Sequence, residues 1–454
     1  MIRRLLLALC LVFTLAGYLP FPVQAASPSS DHQSATPIQH LVVVMQENHT
    51  FDNYFGTYPG ANGLPSGTKM PVDSNNPSAG YIVPWHIGNA TITDLSHNAS
   101  TFRQQYNDGK MDGFVSALNS RNQDGKLSMG YYDDQDIPYY WNLADNYVLF
   151  DQFFSSAKDG SFANHMYWVA AIPGIAPKGV NLSDYLVNVQ TIFDNLQAAG
   201  VSWKFYVQNY DPTITYRDEN ASGNRASQVI WVPLLNFDRF IDDPNLSSHI
   251  VDLSQYYIDL HNGTLPAVSY IVPSGASEHP PSSLASGQRF VKAILQELMR
   301  SSAWDSSAFM LAYDDWGGWY DHVNPIQVDK YGYGFRIPAI LVSPYAKTGY
   351  IDHTVLDFTS ILKFIEQNWN IAPLAERDAN ANNLLSAFNF KQTPRLPIFL
   401  PSTRITAATP KKDPSRVIYI GYGSALGIAI MLVGGANYNS HRAKIRELRK
   451  LLDE

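Results

Sequence analysis

Cysteine is nearly absent from this 454-residue sequence: the single one, Cys10, lies in an apolar N-terminal stretch. A disulfide framework is therefore excluded for the body of the chain, even in a compartment that would oxidise thiols. Charge is sparse as well, at 16% Asp, Glu, Lys and Arg, and the basic sign is the scarcer one. Setting aside the ten basic and four acidic residues of 1–25 and 411–454, from totals of 32 and 40, leaves 22 basic against 36 acidic residues and a formal charge of −14. Such a surface repels a polyphosphate backbone, which argues against nucleic acid as a partner. Internal repeats are absent too, so nothing points to a solenoid or an array.

What is present begins with two unusual ends. "MIRRLLLALCLVFTLAGYLPFPVQAAS" places Arg3 and Arg4 before an apolar run and small residues after it, the pattern of a cleaved signal peptide over 1–26. Near the other end, "VIYIGYGSALGIAIMLVGGA" (417–436) is 20 residues without a charge, the length that crosses a hydrocarbon core. Basic residues cluster after it, from Arg442 to Lys450. The expectation is an exported protein on the outer face of the cell membrane, single-pass, with its C-terminus in the cytoplasm. The organisation read from this is a catalytic domain over 27–392, a Pro/Thr-rich linker over 393–416, a membrane helix over 417–436 and a basic tail over 437–454.

Between the ends, short apolar runs rich in β-branched and aromatic residues alternate with helix-like segments. The runs are "HLVVVM" (40–45), "YVLFDQFF" (147–154), "VSWKFYV" (201–207), "AVSYIVP" (267–273), "AFMLAYDD" (308–315) and "RIPAILVSP" (336–344). Helical periodicity marks 191–200, 287–301 and 354–369, the second with Phe290, Val291, Ile294, Leu295 and Leu298 on one face. Continuous apolar strands between helices predict an α/β fold with a mainly parallel sheet flanked by helices. In such folds, sites form outside the carboxyl ends of the strands.

Four polar clusters stand at such places. They are Glu47-Asn48 after "LVVVM", Ser161 in "KDGSFANHMYW", His279 in "SEHPP", and Asp314-Asp315 with His322 in "YDDWGGWYDHV". Each alone has a plain explanation. Glu47, Asn48 or Ser161 would cap a helix, Asp314-Asp315 would form an Asx turn, and His279 would be an exposed loop residue. Together they are oxygen donors suited to a divalent cation, a hydroxyl that such an ion would activate, and imidazoles for phosphate oxygens or a leaving group. That is equipment for metal-assisted displacement at phosphorus.

The motif "QENHTFDNYFGTYPGANG", followed in order by "DLSHNAS", "GKMDGFV", "MGYYDDQDIPYYWNLAD", "SEHPP", "YDDWGGWYDHV" and "FRIPAILVSPYAKTGYI", resembles the bacterial family of phosphatidylcholine-type phospholipases C and acid phosphatases, to which plant non-specific phospholipases C also belong. The resemblance covers about residues 38–370 and implies an alkaline-phosphatase-like core and a metal-dependent esterase. By matching positions, the metal ligands fall on Glu47, Asn48, Ser161, Asp314 and Asp315, with Ser161 as nucleophile. His97, His279 and His322 match histidines around the phosphoryl group, and Asn164 and His165 match a polar pair on the substrate side. The chain departs from the pattern at Ala163, where proline is usual, at Asp315, where many members have glutamate, and at His49, where arginine is common. The implied substrate is a phospholipid or a small phosphoester, the implied cofactor a divalent metal ion. The diester reading is preferred, with a phosphatase or a non-catalytic surface module as alternatives.

Overall fold

Leu41 to Met45 are fully buried because the strand they occupy, β1 (His40–Gln46), runs through the middle of the main sheet. The structure, a computed structural model, describes residues 34–88, 92–218 and 224–405. Seven further strands complete the sheet: β2 (Val148–Phe150), β3 (Trp203–Val207), β4 (Ile250–Asp252), β5 (Val268–Val272), β6 (Ser307–Tyr313), β7 (Ala339–Val342) and β8 (Tyr350–Asp352). Their order across the sheet is β8-β2-β7-β6-β1-β5-β3-β4. The sheet is mixed. β7 runs antiparallel to both β6 and β2, while every other pairing in it is parallel.

Helices cover the sheet as the periodicity predicts. α1 (Phe51–Phe55) follows β1, α2 (Pro138–Asn146) precedes β2, and α3 (Ser161–Ala170) follows it. α4 (Ile192–Ala199) opens with a capping box at Thr191 and ends at Gly200 in the left-handed region. α5 (Leu284–Arg300) buries Phe290, Val291, Ile294, Leu295 and Leu298, the stripe read from the sequence. α6 (Phe358–Asn368) packs on α3. The chain beyond residue 392 stays on this compact unit as far as Thr403. There Leu400 is buried, and the Arg395 carbonyl accepts the Trp304 indole N–H at 2.9 Å.

One expectation is corrected. No helix among the described residues is long and apolar enough to cross a membrane. The longest, α5, has 17 residues and includes Arg289, Lys292, Glu297 and Arg300, where a span needs about 20 predominantly apolar residues. The run at 417–436 expected to span, the signal segment at 1–26 and the tail at 437–454 lie outside the described residues. Among the described residues the α/β core stands without the added C-terminal transmembrane helix, and the single-pass placement and membrane anchorage drawn from it are withdrawn.

Candidate active site

β1 and β6 are parallel neighbours with Gln46 opposite Tyr313. Glu47-Asn48 and Asp314-Asp315 therefore leave the sheet side by side. Asn48 turns the chain at φ +64°, and its backbone N–H donates to Asp314 Oδ1 at 2.8 Å. The Asp314 N–H donates to the Gln46 carbonyl at 2.9 Å. Neither Glu47 nor Asn48 is spent as a cap: the N-terminus of α1 is capped by Thr50, whose hydroxyl accepts the Asn53 N–H. Asp315 does make the Asx turn, through Oδ1 to the Gly317 N–H at 2.8 Å, and this leaves Oδ2 free for another role. A Cβ on Gly317, itself at φ +57°, would fall 2.3 Å from the Asn48 carbonyl. That position requires glycine if the two turns are to touch.

Ser161 is the first residue of α3. The residue before it, Gly160, offers no side-chain cap, and the Ser161 hydroxyl donates to Asp315 Oδ2 at 3.3 Å. The serine thus reaches across to the carboxylates and does not cap its own helix. Asn164 and His165 lie beneath it, both fully buried. Asn164 braces the preceding loop: its amide donates to the carbonyls of Asp159 and Gly160, and its Oδ1 accepts the Ala157 N–H at 2.8 Å. His165 Nε2 lies 3.3 Å from Glu47 Oε1 and 3.9 Å from Asp314 Oδ2. The pair matched to the substrate side is placed behind Ser161, Asn164 holding the preceding loop and His165 lying against Glu47 and Asp314.

His322 separates from the other two histidines. His97 lines a cavity of about 510 Å³ together with Ser161, Asp94 and Asp159. Its ring meets that of His279 edge-on, with centroids 5.5 Å apart. His322 does not line this cavity. Its Nδ1 is 2.6 Å from Asp52 Oδ2, within a buried network where the Arg336 guanidinium also holds Asp52 and Asp321. His49, at the position where arginine is common, is fully buried and stacks on Tyr54 with ring centroids 4.3 Å apart. Burial pulls its pKa down to about 4, so it supplies no charge to a substrate at neutral pH.

Electrostatically the cluster is incomplete. Glu47 is raised above the usual carboxylate range by burial and then by Asp314. Asp315 is pushed well up for the same two reasons in the same order. Among the described residues, His165 is the only basic side chain paired with Glu47 and Asp314. Asn48 Oδ1 and Asp314 Oδ2 are buried with no hydrogen-bond partner, a costly state for such atoms in a protein interior. Three buried carboxylates, an amide oxygen and a hydroxyl, with two lone-pair donors unpaired, fit a divalent cation bound through oxygen.

Sequence reasoning overlooked Glu278. Its carboxylate is fully buried and accepts the hydroxyls of Tyr54 at 2.5 Å, Tyr313 at 2.6 Å and Tyr140. The Gln46 side chain receives the Glu278 N–H and donates to the Ala276 carbonyl, which pins the segment that delivers His279. Only the polar run "SEH" after an apolar strand hinted at it.

A profile described as the Phosphoesterase family matches residues 38–372. The chain is 28% identical over 476 residues to the non-hemolytic phospholipase C of Pseudomonas aeruginosa, covering 88% of this chain and 66% of that protein, just under two thirds of its length. It is 29% identical over 426 residues to phospholipase C A of Mycobacterium tuberculosis, covering 81% and 80% of the two chains. Among solved structures, a protein in the alkaline phosphatase superfamily from Vibrio parahaemolyticus aligns with 12% identity and a TM-score of 0.36, over 77% of this chain and 73% of that one.

Proposed function

The chain belongs to the Phosphoesterase family, and on that footing we propose that it hydrolyses the phosphodiester of phospholipid headgroups in the manner of a phospholipase C, with Ser161 as nucleophile. The observation that carries this reading is the Ser161 hydroxyl, 3.3 Å from Asp315 Oδ2 at the wall of an open cavity. The relatives named phospholipase C in two bacteria support the diester class. The cavity does too: Asp94 and Asp159 line it and no Lys or Arg among the described residues does. A monoanionic diester with a zwitterionic headgroup suits that lining better than a dianionic monoester.

Glu47, Asn48, Asp314, Asp315 and Ser161 Oγ would hold the divalent cation. Bound there, it would ease loss of the serine proton and offset charge on the phosphate oxygens. Asp315 Oδ2 orients the hydroxyl by accepting its proton. Ser161 Oγ then forms a bond to phosphorus, its proton passing to Asp315 Oδ2, as the bond from phosphorus to the diacylglycerol oxygen breaks. His279 supplies the proton to that leaving oxygen. Burial lowers its basicity, but the charges of Glu47, Asp94 and Asp314 more than compensate and raise its pKa above the usual value. Water cleaves the phosphoserine, releasing the phosphorylated headgroup and restoring the hydroxyl.

The test is product analysis with purified protein on phosphatidylcholine and on p-nitrophenyl phosphate, with and without chelator. Diacylglycerol and phosphocholine, both lost on chelation, are expected. Hydrolysis of the monoester with lipid untouched would transfer the chain to the phosphatase class. Silence on both would return it to a non-catalytic module.

A further inference from the structure

We propose that the segment between α3 and α4, residues 171–191, seats the molecule on a zwitterionic phospholipid bilayer and brings the mouth of the Ser161 cavity against the lipid headgroups. The inference rests on the phospholipase C reading and adds to it the kind of surface from which substrate is drawn. The segment contains a single five-residue helix, Leu182–Leu186. It is long for a connection inside a compact domain, and loops of this kind commonly carry function.

Its apolar residues fall into two sets. Ile172, Leu182, Tyr185 and Val189 pack against the core, and Leu186 is buried in it. The Arg239 guanidinium ties the far end down, donating through Nη2 to the Val189 carbonyl at 2.7 Å. The second set points the other way: Ile175 is 53% exposed, Val180 44% and Val187 62%. Scattered single apolar residues are ordinary on a protein surface, but these three share one anchored loop. That loop opens onto the proposed active site, because Pro173 and Ile175 line the same cavity as Ser161.

Charge selects the surface. Residues 171–191 hold one basic residue, Lys178, and one acidic residue, Asp184, so the segment is neutral. The body of the chain, with 22 basic against 36 acidic residues, has a formal charge of −14. An anionic bilayer repels it, and so does a second copy of the chain. Zwitterionic headgroups impose no such cost, and isoleucine and valine side chains gain by leaving water for the interface. The contact is shallow and reversible, made by side chains of a folded loop and requiring no spanning helix.

The single native cysteine makes a local readout simple. In full-length protein carrying Cys10→Ser, an environment-sensitive fluorophore is attached through Val180→Cys or Val187→Cys. Leu396→Cys is the control, since Leu396 is 83% exposed and does not line the Ser161 cavity. On adding phosphatidylcholine vesicles, emission from the first two labels should shift to the blue and be quenched by nitroxide-bearing lipid, while the control stays unchanged. Phosphatidylglycerol vesicles should give a smaller shift. No shift at the two valine positions, an equal shift at the control, or one as large on phosphatidylglycerol would overturn the proposal. So would a shift driven by protein concentration without lipid, the mark of a second copy on this face. In the turnover arm, Val180→Asp combined with Val187→Asp should cut hydrolysis of vesicle phosphatidylcholine roughly tenfold or more. Hydrolysis of the soluble diester p-nitrophenyl phosphorylcholine should be unchanged, and equal losses on both substrates would overturn the docking role. Silence of the wild-type chain on both would defeat the phospholipase C reading, while the fluorescence, which needs no turnover, still decides the docking.

Discussion

The backbone N–H of Asn48 donates to Asp314 Oδ1 across 2.8 Å, and this bond joins the exits of two neighbouring parallel strands. It is made by the main chain, so the Asn48 side chain is left over, with its Oδ1 buried and unpaired. Backbone and side chain therefore do different work at one residue. The backbone holds the register of the two turns, and the amide oxygen is left over for the cation proposed for this site.

Substitution at Asn48 separates those roles. At φ +64°, alanine carries left-handed strain of about 1–2 kcal/mol that glycine does not. Asn48→Gly should unfold in urea at a higher midpoint than Asn48→Ala, the reverse of the usual order for these residues. Both should lose at least roughly tenfold in affinity for the activating cation. Full metal content in Asn48→Gly would remove the amide from the ligand set.

Ser161→Ala deletes a half-buried hydroxyl at the first turn of α3 and no cap, so near-UV circular dichroism should be unchanged. Phosphodiesterase activity should fall at least about a thousandfold. Ser161→Thr keeps a hydroxyl within reach of Asp315 and should recover part of the rate. Equal activity in the alanine variant would end the nucleophile assignment.

How much of this could be read from residues alone follows from what each element depends on. The strand at 40–46 declares itself as a continuous apolar run buried along its length, and the helix at 284–300 by burial that is periodic along the chain. That β7 runs antiparallel is not legible, since "RIPAILVSP" gives a strand but no direction. Glu47, Asn48, Asp314 and Asp315 are legible as candidates because each is a polar residue where a core strand ends, and Ser161 because it opens the helix that follows such a strand. The surroundings of His322 and His165 are not legible, for one reason. Their partners, Asp52 and Arg336 for one and Glu47 and Asp314 for the other, come from distant segments. Glu278 was missed likewise, because its three tyrosines stand at positions 54, 140 and 313.

Arg336 is fully buried, with Nε 2.8 Å from Asp321 Oδ1 and Nη2 3.0 Å from Asp52 Oδ1. Its Nη1 donates to the carbonyls of Asn62 and Asp151. Arg336→Met would strand two buried carboxylates and should destabilise the fold by roughly 3–5 kcal/mol in urea unfolding. Adding Asp52→Asn and Asp321→Asn to Arg336→Met should recover much of that loss, because the penalty lies in the unpaired charges. A triple variant no more stable than the single one would show that the packing of the arginine stem dominates.

Glu278 supplies a pH dependence whose sign is fixed by its surroundings. Burial raises its carboxyl from 4.5 to about 7, although the hydroxyls of Tyr140, Tyr313 and Tyr54 favour the charged form and hold the rise back. Between those values the folded chain keeps a proton that the unfolded chain releases. The stability that Glu278 contributes is thus fully present below about pH 4.5 and is lost as pH rises through about 7. A rise of that size corresponds to roughly 3 kcal/mol. Unfolding free energies measured in urea from pH 4.5 to 8 should fall more steeply for the wild-type chain than for Glu278→Gln, by up to that amount at the alkaline end. Other groups titrate in the same window, but they do so in both proteins, and the difference between the two curves isolates Glu278. Parallel curves would mean that the tyrosine hydroxyls stabilise the carboxylate as well as water does, and that burial at this position carries no electrostatic cost.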